Sequence, residues 1–131
     1  MGTASMIAYE KADGTVTATY CHYDGYVSYN GKLLVRNYSE SYDAEAVANA
    51  GYLSGLTENL YEDLEKAVHK NQFPEQYSDR NSYLADAGDY FGAEYLYLYD
   101  SQTNEWLVAD LYGDEFPCFK PVEYSLDKEA A

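Results

Sequence analysis

Cys21, His22 and Asp24 lie within four positions of one another, inside the run Thr19-Tyr20-Cys21-His22-Tyr23-Asp24-Gly25-Tyr26. A thiol, an imidazole and a carboxylate are the ingredients of nucleophilic catalysis, in which a base activates the thiol and a third group orients the base. Their spacing argues against that use. Successive side chains on an extended segment point to opposite faces, so Cys21 and His22 do not naturally meet. The other histidine, His69, falls at the solvated end of an expected helix. A corner explains the same residues without chemistry: Cys21 buried beneath a sheet, and Asp24-Gly25 turning the chain. Gly25 is then expected to take a backbone angle that other residues avoid. A small-ligand pocket walled by Tyr20, Tyr23 and Tyr26, using Cys21, His22 and Asp24, is the alternative.

Metal chemistry has less to stand on. Cys21 and Cys118 are too far apart in the chain to form the close ligand pair of a zinc site, and the acidic group Asp110, Asp114 and Glu115 lacks the loop spacing of a calcium site. The chain has no glycine loop for phosphate and no serine elbow. No metal and no cofactor are expected.

Charge is the remaining constellation. The 131 residues carry a net charge of −15. Residues 1–38 balance three acids against three bases, so residues 39–131 carry all of it. Such a surface repels nucleic acid and anionic membranes and attracts basic partners. Glu58, Glu62, Asp63 and Glu65 fall on one expected helix, Asp86 and Asp89 on the next, and Asp110, Asp114 and Glu115 at the end of a strand. If these faces adjoin, they form a negative band edged by some of the 17 tyrosines. Tyrosine, with an apolar body and a polar tip, suits interfaces. A solvated, solubilising face is the plainer reading of the same residues.

The elements that position these residues follow from pattern. Met6–Lys11 and Thr15–Tyr20 flank Ala12-Asp13-Gly14, a hairpin signal. A two-residue Asp13-Gly14 turn pairs Tyr9 with Ala18 and Ile7 with Tyr20, and leaves Thr15, Thr17 and Thr19 on an outer face. Asn30 is expected to cap a helix over about 31–38, Asp43 a short helix ended by Gly51, and Thr57 a helix over about 58–70 with Leu60, Leu64, Ala67 and Val68 inward. Ser78 or Asp79 starts a further helix carrying Tyr83, Leu84, Ala87, Tyr90 and Phe91, stopped by Gly92. Residues 93–99 read as a strand buried on both faces. Residues 105–112 return beside it. Pro117 and Pro121 bracket an edge segment, and 122–126 reads as a last strand. Strands, then helices, then strands predict an α+β fold: one antiparallel sheet of four to five strands packed by three to four helices.

Residues 6–127 read as a single domain. Met1–Ser5, ahead of Met6, reads as an expression scar, and 128–131 as a frayed tail. No apolar run is long enough to span a bilayer, and the N-terminus lacks a signal-peptide pattern. A cytoplasmic protein with reduced thiols is expected.

The run Asp13-Gly14-Thr15-Val16, then Tyr20–Tyr26, then Gly31-Lys32-Leu33-Leu34 and Asn37-Tyr38, resembles a group of small uncharacterised proteins of bacteriophages and mobile elements. Their hallmark is Tyr-Cys-His-Trp-Asp-Gly-Tyr followed by Gly-Lys-x-Leu. Gly51-Tyr52-Leu53-Ser54-Gly55-Leu56 is similar to the group's Gly-Asp-Leu-Ser-Ser-Leu, and 94–98 with Trp106-Leu107-Val108 to its final hairpin. Tyr23 stands in place of the tryptophan and Tyr52 in place of the aspartate. The resemblance implies phage origin and carries no activity. Small acidic phage proteins often block host nucleases or other DNA-binding proteins, some by mimicking DNA. The expected function is therefore a non-enzymatic inhibitor of a host protein with a basic surface, DNA mimicry and anti-restriction or anti-defence action included. A structural or dimerisation module built on a tyrosine-rich face is a further alternative.

Overall fold

The structure, a computed structural model, describes residues 3–67, 72–113 and 117–130, with side chains described for all of these except 88–91 and 128–130. The strands are β1 (Ser5–Glu10), β2 (Val16–Cys21), β3 (Tyr52–Leu53), β4 (Glu75–Tyr77), β5 (Tyr95–Asp100), β6 (Glu105–Asp110) and β7 (Lys120–Pro121). The helices are α1 (Lys32–Asn37), entered through a π-helical turn at Val27–Gly31, α2 (Ser41–Ala48), α3 (Leu60–Lys66), α4 (Arg80–Phe91) and α5 (Val122–Ala130). The fold is α+β.

The sheet among the described residues runs β3-β2-β1-β5-β6-β7, with β4 also paired to β2. It is mixed rather than antiparallel, and larger than the expected four to five strands. β1 lies parallel to β5, and β2 parallel to β3. Parallel pairing here joins residues 90 positions apart for β1 and β5 and 32 apart for β2 and β3, and leaves no local turn signal, so it is invisible to pattern reading. Its trace is the expected double burial: Leu96, Tyr97, Leu98 and Tyr99 are all buried at the sheet centre.

Helices cover both faces. On one side Ile7, Tyr9, Cys21, Tyr97, Tyr99, Trp106 and Val108 pack against Val27, Leu34, Ala44, Val47 and Val122. On the other, Met6, Ala8, Val16, Ala18, Leu96 and Leu98 pack against Tyr83 and Ala87 of α4. The doubly covered sheet buries Thr17 and Thr19, which were expected to face out. Their hydroxyls have partners: Thr17 donates to Gln76 Oε1 at 2.9 Å and Thr19 to the Ala48 carbonyl at 2.7 Å.

Several local expectations shift. The hairpin register pairs Ala8 with Ala18 and Ile7 with Thr19. The loop is three residues, because Gly14 at φ +90° follows a tight turn closed by Gly14 N–H to the Lys11 carbonyl. The extra loop residue moves every pair by one. Ser5, set aside with the first five residues, is the buried first residue of β1, and Thr3 accepts a hydrogen bond from the Gly25 N–H. Asn30 is no cap: it lies buried in the π-helical turn. Glu40 rather than Asp43 precedes α2, and Asp43 sits in its first turn, where the helix dipole still favours an acid. Asn59 rather than Thr57 caps α3, accepting from the Glu62 N–H. Residues 122–126 begin a helix and not a strand, since Pro121 suits a helix start and Val122 and Leu126, four apart, face the core together. Asp79 does cap α4, accepting from the Ser82 N–H, and Gly92 at φ +67° follows it.

Candidate functional site

The 20–26 corner closes the end of β2. Its shape comes from an exchange of roles between neighbours. Asp24 holds the left-handed angle, φ +61°, which the sequence reading assigned to Gly25. Aspartate tolerates that region better than most side chains. Gly25 is required for space: a Cβ there would stand 2.7 Å from both Ser5 Cβ and the Thr3 carbonyl oxygen. Tyr97 reaches from the centre of the sheet to donate to the Gly25 carbonyl at 2.6 Å. The 52–54 segment runs alongside, its carbonyls at Leu53 and Ser54 accepting from the N–H groups of His22 and Tyr23.

This frame separates the reactive side chains. Cys21 is fully buried, and its thiol donates weakly to the Tyr23 carbonyl at 3.6 Å. Burial pushes that thiol up to about 12, so it stays protonated at neutral pH and is a poor nucleophile. His22 is exposed, sharing a 3.0 Å hydrogen bond between its Nδ1 and the Tyr20 hydroxyl. No hydrogen bond joins Cys21, His22 and Asp24 to one another. The rings instead form a strip across the sheet end. Tyr52 lies 5.6 Å from Tyr20, Tyr20 5.9 Å from His22, and His22 4.5 Å from Tyr23. Such a strip offers aromatic contact surface, not acid–base machinery. Beneath it Asn30 directs its amide nitrogen to Ser5 Oγ and Cys21 Sγ, each at 3.5 Å. Among the described residues, no three of His, Cys, Asp and Glu are grouped to hold a metal ion.

The thiol geometry sets a test. With a thiol-specific chromogenic reagent at pH 8, native protein should react rapidly at one sulfur, the exposed Cys118. Cys21, with a thiolate fraction of about 10⁻⁴ at that pH, should react only after unfolding. Two fast equivalents would contradict this account of the corner.

The acidic residues divide. Glu58, Glu62, Glu65 and Asp86 are exposed. Asp63 is buried and structural: its carboxylate accepts from the Thr57 N–H at 2.6 Å and the Thr57 hydroxyl at 2.8 Å, pinning the start of α3. Asp110 builds the turn after β6, accepting from the N–H groups of Tyr112 and Gly113. The side chain of Asp89, and Asp114 and Glu115 altogether, lie outside the described residues.

The sequence reading missed what α3 does with its apolar residues. Ala67 is buried and Leu60 packs partly against the core, as expected, but Asp63 also turns inward, while Leu64 is 37% exposed beside Tyr61 at 72%; Val68 lies outside the described residues. Of the described residues expected on the inner stripe, Leu64 alone departs. The Asp63–Thr57 bonds join residues six apart, and no standard capping pattern announces them.

No protein-family model, curated protein or solved structure matches the chain. Among the described residues, no helix is long and apolar enough to cross a membrane.

Proposed function

We propose that this chain is a binding protein, not an enzyme, and that its acidic surface occupies a basic site on a partner protein. The observation that carries the reading is the outer face of α3. Tyr61 and Leu64 stand exposed there, three residues apart, with the exposed acids Glu58, Glu62 and Glu65 around them. An exposed aromatic and aliphatic pair gives a contact anchor, and the surrounding carboxylates give long-range attraction to a basic surface. Glu62 and Glu65 are about 4.5 Å apart along the helix axis, of the same order as the roughly 3.4 Å of axial rise per phosphate on one DNA strand. The site best matched by that spacing is the phosphate-binding groove of a DNA-binding protein or nuclease. The resemblance to phage proteins, with the host cytoplasm as the setting, supports the same partner class.

The test is a pull-down from bacterial lysate at low salt and at about 0.5 M, where the Debye length is only a few Å. A DNA-binding protein should be captured at low salt, released at high salt and displaced by added duplex DNA. Glu62→Gln with Glu65→Gln, and separately Tyr61→Ala, should each weaken capture by about tenfold or more. Capture that ignores salt and these substitutions, or no capture at all, overturns the reading.

A further inference from the structure

A second feature borders the acidic face of α3, sharing Glu58 with it, and carries the opposite charge on its helical side. The continuous helical stretch from Val27 to Asn37 carries Ser28, Lys32 and Arg36 at four-residue spacing, with Tyr29, Leu33 and Asn37 beside them in the same register. These residues line one open groove of about 420 Å³, whose far wall is Thr57 and Glu58. That volume lies within the range of small-molecule sites.

The helical side of the groove is cationic. Lys32 and Arg36 are exposed, and neither has an ion-pair partner among the described residues. They stand in a chain with 23 acids to eight bases. Beyond about 10 Å the other acids are screened by salt, so the nearest charges dominate what the groove attracts. Hydrogen-bond donors accompany the cations: the Ser28 hydroxyl, the Asn37 amide and the Tyr29 phenol. Burial and the nearby Asp24 raise the Tyr29 phenol, which stays protonated and able to donate. The Tyr29 ring, tilted against Tyr26 at 6.2 Å and 38% exposed, offers a partly open face. Glu58 repels an anion at its own end of the groove and can accept from sugar hydroxyls.

We propose that this groove binds a nucleoside monophosphate. The phosphate lies with Lys32 and Arg36, whose charge-assisted hydrogen bonds supply most of the affinity. The base stacks on Tyr29, and the ribose hydroxyls face Glu58. Tyr29 and Arg36 are about 10 Å apart along the helix axis, a span that a nucleoside monophosphate bridges from base to phosphate. This binding uses Glu58 but not Glu62 or Glu65 of the acidic face of α3.

Titration calorimetry on the full chain at about 0.1 M salt, where the Debye length is about 10 Å, with AMP, adenosine and inorganic phosphate as probes, tests it. AMP should bind saturably, with adenosine and phosphate each at least about tenfold weaker, since each lacks half of the contacts. Lys32→Gln with Arg36→Gln should cost AMP at least about tenfold. Both side chains are exposed, so the thermal midpoint should hold within about 2 °C. Tyr29→Ala should weaken AMP and leave inorganic phosphate unchanged. Glu62→Gln with Glu65→Gln should leave AMP binding intact, which separates this site from the acidic surface. No saturable AMP binding up to about 5 mM, equal binding of adenosine or phosphate, or full binding by the Lys32/Arg36 variant would each overturn the proposal.

Discussion

Gly51→Ala is expected to lower stability by at least about 3 kcal/mol, a large fraction of the roughly 5–15 kcal/mol that holds a typical domain folded. Gly51 sits at φ +91°, where an L-residue costs about 1–2 kcal/mol. Space is the larger obstacle. An added Cβ would overlap the Gln72 carbonyl oxygen and stand 2.9 Å from its carbon. Both are backbone atoms, so no side chain can swing aside. Moving Gly51 instead would strain its N–H bond to Thr19 Oγ at 3.0 Å, and with it the Thr19 bond to Ala48. Each buried bond is worth about 1 kcal/mol and costs more if a partner is stranded. Gly14→Ala is the internal control. Gly14 has nearly the same angle, φ +90°, with nothing within 4 Å of an added Cβ. Urea denaturation should give about 1–2 kcal/mol for Gly14→Ala and clearly more for Gly51→Ala. Equal losses would show that crowding at Gln72 contributes nothing.

Arg80→Ala is expected to cost about 2–3 kcal/mol. In the parallel register of β1 and β5, Glu10 lies directly beside Asp100, so two carboxylates meet at adjacent strand ends. Arg80 resolves the conflict. Its Nε and Nη2 donate to the two Glu10 oxygens at 2.8 and 2.7 Å, and Nη2 also reaches Asp100 at 3.2 Å. These bonds hold the guanidinium charged, its proton held more tightly than in an ordinary arginine. The carboxylate side chains are only 14% and 16% exposed, and Arg80 is 35% exposed. The loss therefore falls between the roughly 1 kcal/mol of a surface pair and the 3–5 kcal/mol of a buried one. Glu10→Gln in the Arg80→Ala background should recover about half, because the penalty comes from two unscreened acids as much as from a lost bond. Chemical denaturation of the four variants closes the cycle. A double variant no more stable than Arg80→Ala would mean that the arginine acts only through packing.

Arg80 also shows where pattern reading stops. Its helix, its cap and Gly92 were legible because each is encoded within a few residues. Nothing near Arg80 in sequence indicates Glu10, 70 positions away, and only the β1–β5 pairing brings Asp100 into reach. The corner residues behave likewise. The Tyr20–Tyr26 run announced a turn after a strand, correctly. Which residue takes the left-handed angle depended on Ser5 and Thr3 crowding Gly25. Thr17 and Thr19 read as outward-facing, because alternation identifies two faces and says nothing about whether a second layer of helices covers the polar one. On α3, the apolar spacing pointed Leu64 inward, and the Asp63 contacts with Thr57 turned it out.

Local pattern and composition were enough for the α+β class, the central place of the 95–99 strand, the turn after β2 and the concentration of negative charge after residue 38. These depend on periodicity, on turn residues and on charge counts, all local or additive quantities. Long-range packing set the mixed sheet, the burial of Cys21 away from His22, the removal of Asp63 and Asp110 from the free acidic surface, and the meeting of Lys32 and Arg36 with Thr57 and Glu58 across one groove. Each of these arises from contacts between segments distant in the chain, whose energies depend on which surfaces are brought together and appear in no single segment's composition.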